Sequence, residues 1–354
     1  MEIKQLLQIV VERKASDLHL VAGVPAYLRI DGKLIQVDQE IITPEAAKNL
    51  IFPMLTPEQK DAFLVNKELD FSFSLGEIAR FRVNVYWQKG TMAAALRLIP
   101  EKIRSIEELG LPKICFELSE LKQGLVLVTG PTGHGKSTTL AAIINQINIS
   151  RADHIVTIED PIEYIYKPIK SIISQREMHG DTHSWAVALR SVLREDPDVV
   201  LVGEMRDYET IAAALTVAET GHLVLATLHT NSAAQTIDRI VDVFPEHQQA
   251  QIRIQLANTL AGVLAQRLLP AIGGGRLAAT EVLLGTAAVK TSIREGKTHL
   301  LNNVLQTSSE LGMHSLEQDL ARLVNLGRLE YKVAEEYALN RADFARLTKK
   351  SGSI

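Results

Sequence analysis

Eight residues, Gly130-Pro131-Thr132-Gly133-His134-Gly135-Lys136-Ser137, fit the spacing G-x-x-x-x-G-K-[ST], with Thr138 next in line. The chemistry this spacing serves is phosphate binding. Glycines let backbone N–H groups turn inward around phosphate oxygens, a lysine reaches the β/γ-phosphates, and the Ser137 hydroxyl is placed to ligate Mg²⁺. The loop follows an apolar strand pattern, "GLVLVTG", and opens a helical one, "KSTTLAAIINQI", so a helix N-terminus adds its dipole. A nucleoside triphosphate with Mg²⁺ is the expected ligand. His134 takes a variable position of the motif, where the backbone amide does the work, and its side chain is expected to be a bystander.

Phosphoryl transfer to water also needs a carboxylate to organise the metal and a group to position the water. "DVVLVGE" puts Glu204 at the C-terminal end of an apolar run, where open α/β sheets gather their ligand chemistry. "HIVTIEDPIEY" puts Glu159, Asp160 and Glu163 just beyond another such run, and Pro161 forces a turn that could aim Glu163 into the cleft. "TGHLVLATLHT" sets His222 and His229 at opposite ends of one strand, an odd separation for a metal pair. Each is expected to sense phosphate or to hydrogen-bond a neighbouring loop, a satisfied structural histidine being the other reading. His179 and His183 are four apart, but Gly180 lies between them and no third ligand is evident, which argues against a metal site.

These groups call for two kinds of framework. Residues 113–354 alternate short continuous apolar runs with helical patterns, which predicts a mostly parallel sheet covered by helices. A helical tail follows "RLAATEVLLG", and "KKSGSI" at the end reads as disordered. Residues 1–99 read as a small α/β domain. Its opening helix spaces Ile3, Leu6, Leu7 and Val10 on one face, alternating strands follow, and two Thr-Pro pairs mark helix starts. The proline-bracketed "PEKIRSIEELGLP", residues 100–112, is expected to be the linker. A length of 354 residues favours two domains. Net charge of −4 and 5% aromatic residues speak against a basic, base-stacking nucleic-acid channel. The single cysteine, Cys115, excludes an internal disulfide framework and a cysteine zinc site, and fits a reducing cytosol. No signal-peptide pattern is present, and the richest apolar stretch is interrupted by Asn258, Gln266, Arg267 and Pro270, so no membrane insertion is expected.

The set "GPTGHGKSTT", "TIEDPIEY", "ALRSVLREDPDVVLVGEMRDYETI" and "TGHLVLATLHTNSAAQTIDRI" resembles the secretion ATPase superfamily, the hexameric RecA-like motors of type II secretion, type IV pili and type IV secretion. In order, these stretches are similar to its Walker A, Asp-box, Walker B and His-box elements. "ASDLHL", "GVPAYLRIDGKL" and "FRVNVYWQKGTMAAALRLIP" resemble the superfamily's PAS-like N-terminal domain, so the likeness spans nearly the whole chain. It implies a PAS-like domain, a RecA-like P-loop domain with a helical subdomain, and ATP hydrolysis with Mg²⁺. It also implies a cytoplasmic homohexamer at the inner membrane, acting on a pilus platform protein. By position, Glu163 matches the catalytic glutamate, Glu204 the Walker B glutamate, and His222 and His229 the His-box pair. Arg82 and Arg97 match arginines that reach a nucleotide across domains or subunits.

Within the superfamily the likeness is to pilus retraction motors. Assembly motors usually carry an extra N-terminal domain and a four-cysteine zinc site. "AAVKTSIREGKTH" is similar to the A-I-R-N-L-I-R-E element tied to retraction, keeping Ala288, Ile293, Arg294 and Glu295 but departing at Val289, Lys290, Thr291 and Ser292. His134 is a second departure, since the superfamily commonly has serine there. An accessory retraction motor, an assembly or type II secretion ATPase, and a RecA-like nucleic-acid motor are the competing readings.

Overall fold

The computed structural model describes residues 2–30, 32–76, 78–99 and 102–349. The start of the expected linker and positions 350–354 of the expected disordered tail lie outside them. The chain divides into two compact units, Met1–Lys102 with Pro161–Ile165, and Ile103–Asp160 with Tyr166–Ile354.

In the first unit, α1 (Ile3–Glu12) buries Ile3, Leu6, Leu7 and Val10, the stripe its spacing predicts. Strands β1 (Asp17–Val21), β2 (Tyr27–Ile30) and β3 (Lys33–Gln36) follow, then α2 (Pro44–Ile51) and α3 (Pro57–Asn66), then β4 (Glu68–Leu75), β5 (Ala79–Gln88) and β6 (Thr91–Leu98). Both Thr-Pro signals start helices, with the Thr43 and Thr56 hydroxyls accepting the N–H groups of Ala46 and Gln59. The six strands form an antiparallel sheet in the order β3-β2-β1-β6-β5-β4. Leu18, Leu20, Val83, Val85 and Leu96 belong to the core of this unit. Successive residues alternate faces, so Asp17, Arg82 and Arg97 lie on the opposite pleat. Strand β3 has no apolar alternation to announce it because all its residues are exposed.

The second unit begins with α4 (Ile114–Glu120), β7 (Gly124–Thr129), α5 (Lys136–Ser150), β8 (His154–Glu159), β9 (Ile172–Glu177), α6 (Trp185–Val192) and β10 (Val199–Val202). It continues with α7 (Tyr208–Glu219), β11 (Leu223–Leu228), α8 (Ala233–Asp242), α9 (Glu246–Thr259), β12 (Leu260–Pro270) and β13 (Arg276–Leu284). The helical tail comprises α10 (Ala287–Arg294), α11 (Leu301–Thr307), α12 (Leu316–Asn325), α13 (Tyr331–Tyr337) and α14 (Arg341–Lys349). The sheet runs β13-β12-β7-β11-β10-β8-β9, parallel throughout except for the antiparallel edge strand β13. Strands β7, β10 and β11 are buried at every position, the reason their sequences read as continuous apolar runs.

In this second unit two strands are not legible from pattern. β9 is mostly polar and half exposed at the far edge. β12 carries buried Gln266 and Arg267 in the middle of its apolar run. Gln266 looks like an interruption until its partners, Thr139 of α5 and the His134 carbonyl, are known. Among the described residues no helix is long and apolar enough to cross a membrane.

Candidate functional site

Strand register assembles the site. Thr129, the last residue of β7, pairs with Leu228 of β11, and Val202 of β10 pairs with Ala226 of the same strand. The residues that follow, Gly130, His229 and Glu204, therefore leave the sheet side by side at its carboxyl edge. The loop 130–135 then turns into α5 through Gly135, at φ +84°. A Cβ at Gly130 would stand 2.4 Å from the Gln266 carbonyl oxygen, and one at Gly135 would stand 2.9 Å from Gln266 Nε2. Only glycine allows β12 to press this closely on the loop. The first turn of α5 has no side-chain cap, so its N–H donors and its dipole face the loop. A narrow cradle of backbone donors at a helix N-terminus fits a chain of phosphates.

Lys136 is buried, and its Nζ donates to the carbonyl oxygens of Gly130 at 2.9 Å and Pro131 at 3.1 Å. It also lies 3.3 Å from His229 Nδ1, and Thr132 Oγ1 lies 3.4 Å from the same nitrogen. An ammonium can only donate, so Nδ1 accepts and the ring proton sits on Nε2. That nitrogen donates to Glu204 Oε1 at 2.9 Å, and Arg206 Nε donates to the same oxygen at 2.8 Å. Burial pushes the Glu204 carboxyl up, but the hydrogen bonds from Arg206 and His229 and the positive charge of Arg206 outweigh it and hold the group below its ordinary value. Glu204 is thus an anion at the mouth of the loop. The Ser137 hydroxyl at the head of α5 and this carboxylate are oxygen donors of the kind Mg²⁺ accepts.

His134 is tied down rather than loose. Its Nδ1 accepts the Leu268 N–H at 2.9 Å, and its backbone carbonyl accepts Gln266 Nε2 at 2.7 Å. Gln266 Oε1 in turn accepts the Thr139 hydroxyl at 2.7 Å. Three hydrogen bonds thereby clasp the phosphate loop and α5 to β12. Burial, then the charges of Arg267, Lys136 and Arg276, depress the His134 pKa, which keeps Nδ1 an acceptor. The side chain expected to be a bystander to the chemistry is thus a fastening between the loop and β12. Its partner lies 134 residues downstream, so no local signal points to it.

Of the remaining candidates, Pro131, Thr132, Gly133 and Thr138 lie in the loop and the first turn of α5. His222 is at the other end of β11, beside Gly124, with Nδ1 bonded to the Val217 carbonyl at 3.0 Å. Six strand residues separate it from His229, roughly 20 Å. The sheet does not bring His222 to the phosphate loop of its own chain. Glu159 is buried and accepts the Thr157 hydroxyl at 2.7 Å. Glu163 is exposed and belongs to the five residues that group with the first unit. Arg82 and Arg97 are direct cross-strand neighbours there, and Arg97 Nε donates to Asp17 Oδ1 at 2.8 Å.

A family model described as type II/IV secretion system protein matches residues 1–328. The chain belongs to that family. This secretion-system chain is 47% identical to the type IV pilus retraction ATPase PilT of Pseudomonas aeruginosa, over 96% of its own length and 98% of that protein. It is 40% identical to the type IV pilus ATPase PilU of the same organism, over 100% of its length and 92% of that protein. A crystal structure of the pilus retraction motor PilT with bound ADP superposes on it with a TM-score of 0.91 at 46% identity, covering 98% of this chain and 99% of that one. The secretion-system fold is the mixed α/β architecture described above, with its helical C-terminal tail.

Proposed function

We propose that this protein is an ATP-hydrolysing motor that powers type IV pilus retraction. It works as a homohexamer at the cytoplasmic face of the inner membrane and acts on a membrane-embedded platform protein. The observation that carries the reading is the Glu204–His229–Lys136 chain at the phosphate loop, in a protein this similar to PilT. Residues 1–99 are the PAS-like domain, 100–112 the linker, and 113–354 the RecA-like domain.

In this reading the backbone of 130–135 and Lys136 hold the ATP phosphates, with Thr138 and its neighbours in α5 closing the first turn. Ser137 and Glu204 hold Mg²⁺, which supplies charge neutralisation at the phosphates when bound. Glu163 orients the attacking water, and His229 couples Glu204 to Lys136. His222, at the far edge of the sheet, has no step within its own chain. Arg82 and Arg97 offset charge in the transition state as arginine fingers do. Arg97 must leave Asp17 to do so.

Deletion of the gene tests the direction of force. A retraction motor leaves cells hyperpiliated and without twitching, and expression of a Glu163→Gln form fails to restore movement. Cells that lose their pili altogether would show an assembly motor instead, and an unchanged pilus number with weakened movement an accessory one.

A further inference from the structure

Strand β13 reads "RLAATEVLL", and its one acid, Glu281, is buried at 4% exposure. Oε1 accepts the N–H of Ala233, the first residue of α8, at 2.7 Å, and the N–H of Leu316, the first residue of α12, lies near the same carboxylate and favours its charged form. In both helices the preceding serine serves a different donor. Ser232 accepts the Gln235 N–H and Ser315 accepts the Gln318 N–H. One carboxylate therefore accepts a first-turn donor of α8 and stands beside the first turn of α12, two helices that are far apart in sequence.

Each helix leads somewhere of consequence. Upstream of Ala233 the three residues Thr230–Ser232 connect directly to His229, and Thr230 is bonded back to Thr236 of α8 at 2.6 Å. The His229 loop is thus short and fixed to the start of α8. Downstream of Leu316, the buried carboxylate of Glu317 accepts the N–H of Asn340 at the head of α14, at 2.9 Å. Arg267 of β12 faces the same buried cluster, and the ring of Tyr337 in α13 lies 6.4 Å from that of His134. The C-terminal helices therefore reach both walls of the phosphate site, one through Glu281 and one through β12.

A carboxylate here is costly. Burial raises the Glu281 pKa to about 7, the Ala233 and Leu316 N–H groups and Arg267 oppose that only in part, and Glu317 adds to it. A glutamine or an apolar residue would fill the strand with less desolvation. Groups kept at such expense belong to functional machinery more often than to packing.

We propose that Glu281 is a positioning residue for nucleotide hydrolysis: by holding the first turn of α8 against β13, beside the start of α12, its carboxylate fixes the loop that presents His229 to Lys136. The C-terminal helices thereby become a lever on the site. This rests on the ATPase reading above.

The test uses the full-length protein with Glu281→Gln, which keeps the shape and loses the charge, and Glu281→Asp, which keeps the charge and shortens the reach. We expect kcat to fall about ten- to a hundredfold in Glu281→Gln with the ATP KM within about twofold, because the loop is displaced and the phosphate cradle is not. Backbone hydrogen exchange should quicken together at 229–236 and 315–320, and not across the sheet. Glu281→Asp should give an intermediate kcat if it folds where Gln does not. Parent-like kcat in either folded variant, or exchange that quickens evenly over the whole unit, overturns the proposal. A parent protein that hydrolyses no ATP instead sinks the ATPase reading, and the paired exchange at the two helix starts still decides whether Glu281 ties them.

Discussion

His229 Nδ1 lies 3.3 Å from Lys136 Nζ, while Nε2 of the same ring lies 2.9 Å from Glu204 Oε1. One imidazole thus joins the lysine of the phosphate loop to the acid at the end of the neighbouring strand. Its tautomer is dictated by the lysine, which has protons to give and no lone pair to offer. Replacing the ring severs both links and leaves the backbone cradle intact. His229→Ala should slow single-turnover ATP hydrolysis about a hundredfold while ADP affinity stays within about threefold. Hydrolysis at the parent rate would remove His229 from the mechanism.

His134 is placed to support the loop and not the reaction. His134→Ala leaves the Leu268 N–H without its acceptor and should lower stability by about 1 kcal/mol, with kcat within about twofold. The pKa of His134 is depressed in the fold. A depressed base contributes its stability above the unfolded pKa of 6.5 and loses it as pH falls below that value. The melting difference between parent and variant should therefore be full at pH 7.5 and shrink by pH 5.5. A kcat loss as large as that of Glu163→Gln would instead bring the ring into the chemistry.

Glu281 titrates with the opposite sign. Its pKa rises from 4.5 to about 7 on folding. The folded state then binds the proton more tightly than the unfolded one, so stability is lost as pH rises from about 4.5 to 7, by up to about 3 kcal/mol. Glutamine in its place has no proton to lose. Between pH 5 and 8, at fixed protein concentration, the parent should lose melting temperature relative to Glu281→Gln. A constant difference across that range would show that the carboxyl titrates in the ordinary acid range.

Arg82 and Arg97 stand directly opposite one another on adjacent strands, a repulsive arrangement that Asp17 offsets on one side only. Burial pushes the Asp17 carboxyl up, but the Ser16 hydroxyl and Arg97 overcome it and keep the group ionised. If these arginines act across a subunit boundary, Lys136→Ala and Arg97→Ala proteins, each inactive alone, should regain ATPase activity when mixed. Mixed hexamers confirmed by mass and still inactive would refute action in trans.

The sequence alone determined the local chemistry. The phosphate loop, its lysine and its flanking strand and helix are contiguous, so spacing is enough to find them. The buried parallel strands were equally legible, because a strand covered on both faces must be apolar at every step. The Thr-Pro helix starts were legible because capping is settled within one turn.

Tertiary structure alone decided which distant residues meet. Strand register, with Leu228 beside Thr129, brought His229 to Lys136 and left His222 at the opposite edge. Both histidines bracket the same strand, and nothing in the sequence separates them. The roles of Gln266, Leu268 and Glu281 are not legible in the sequence for the same physical reason. Each acts on a partner more than 30 residues away, and a buried polar residue reveals its purpose only when the group it satisfies is in place.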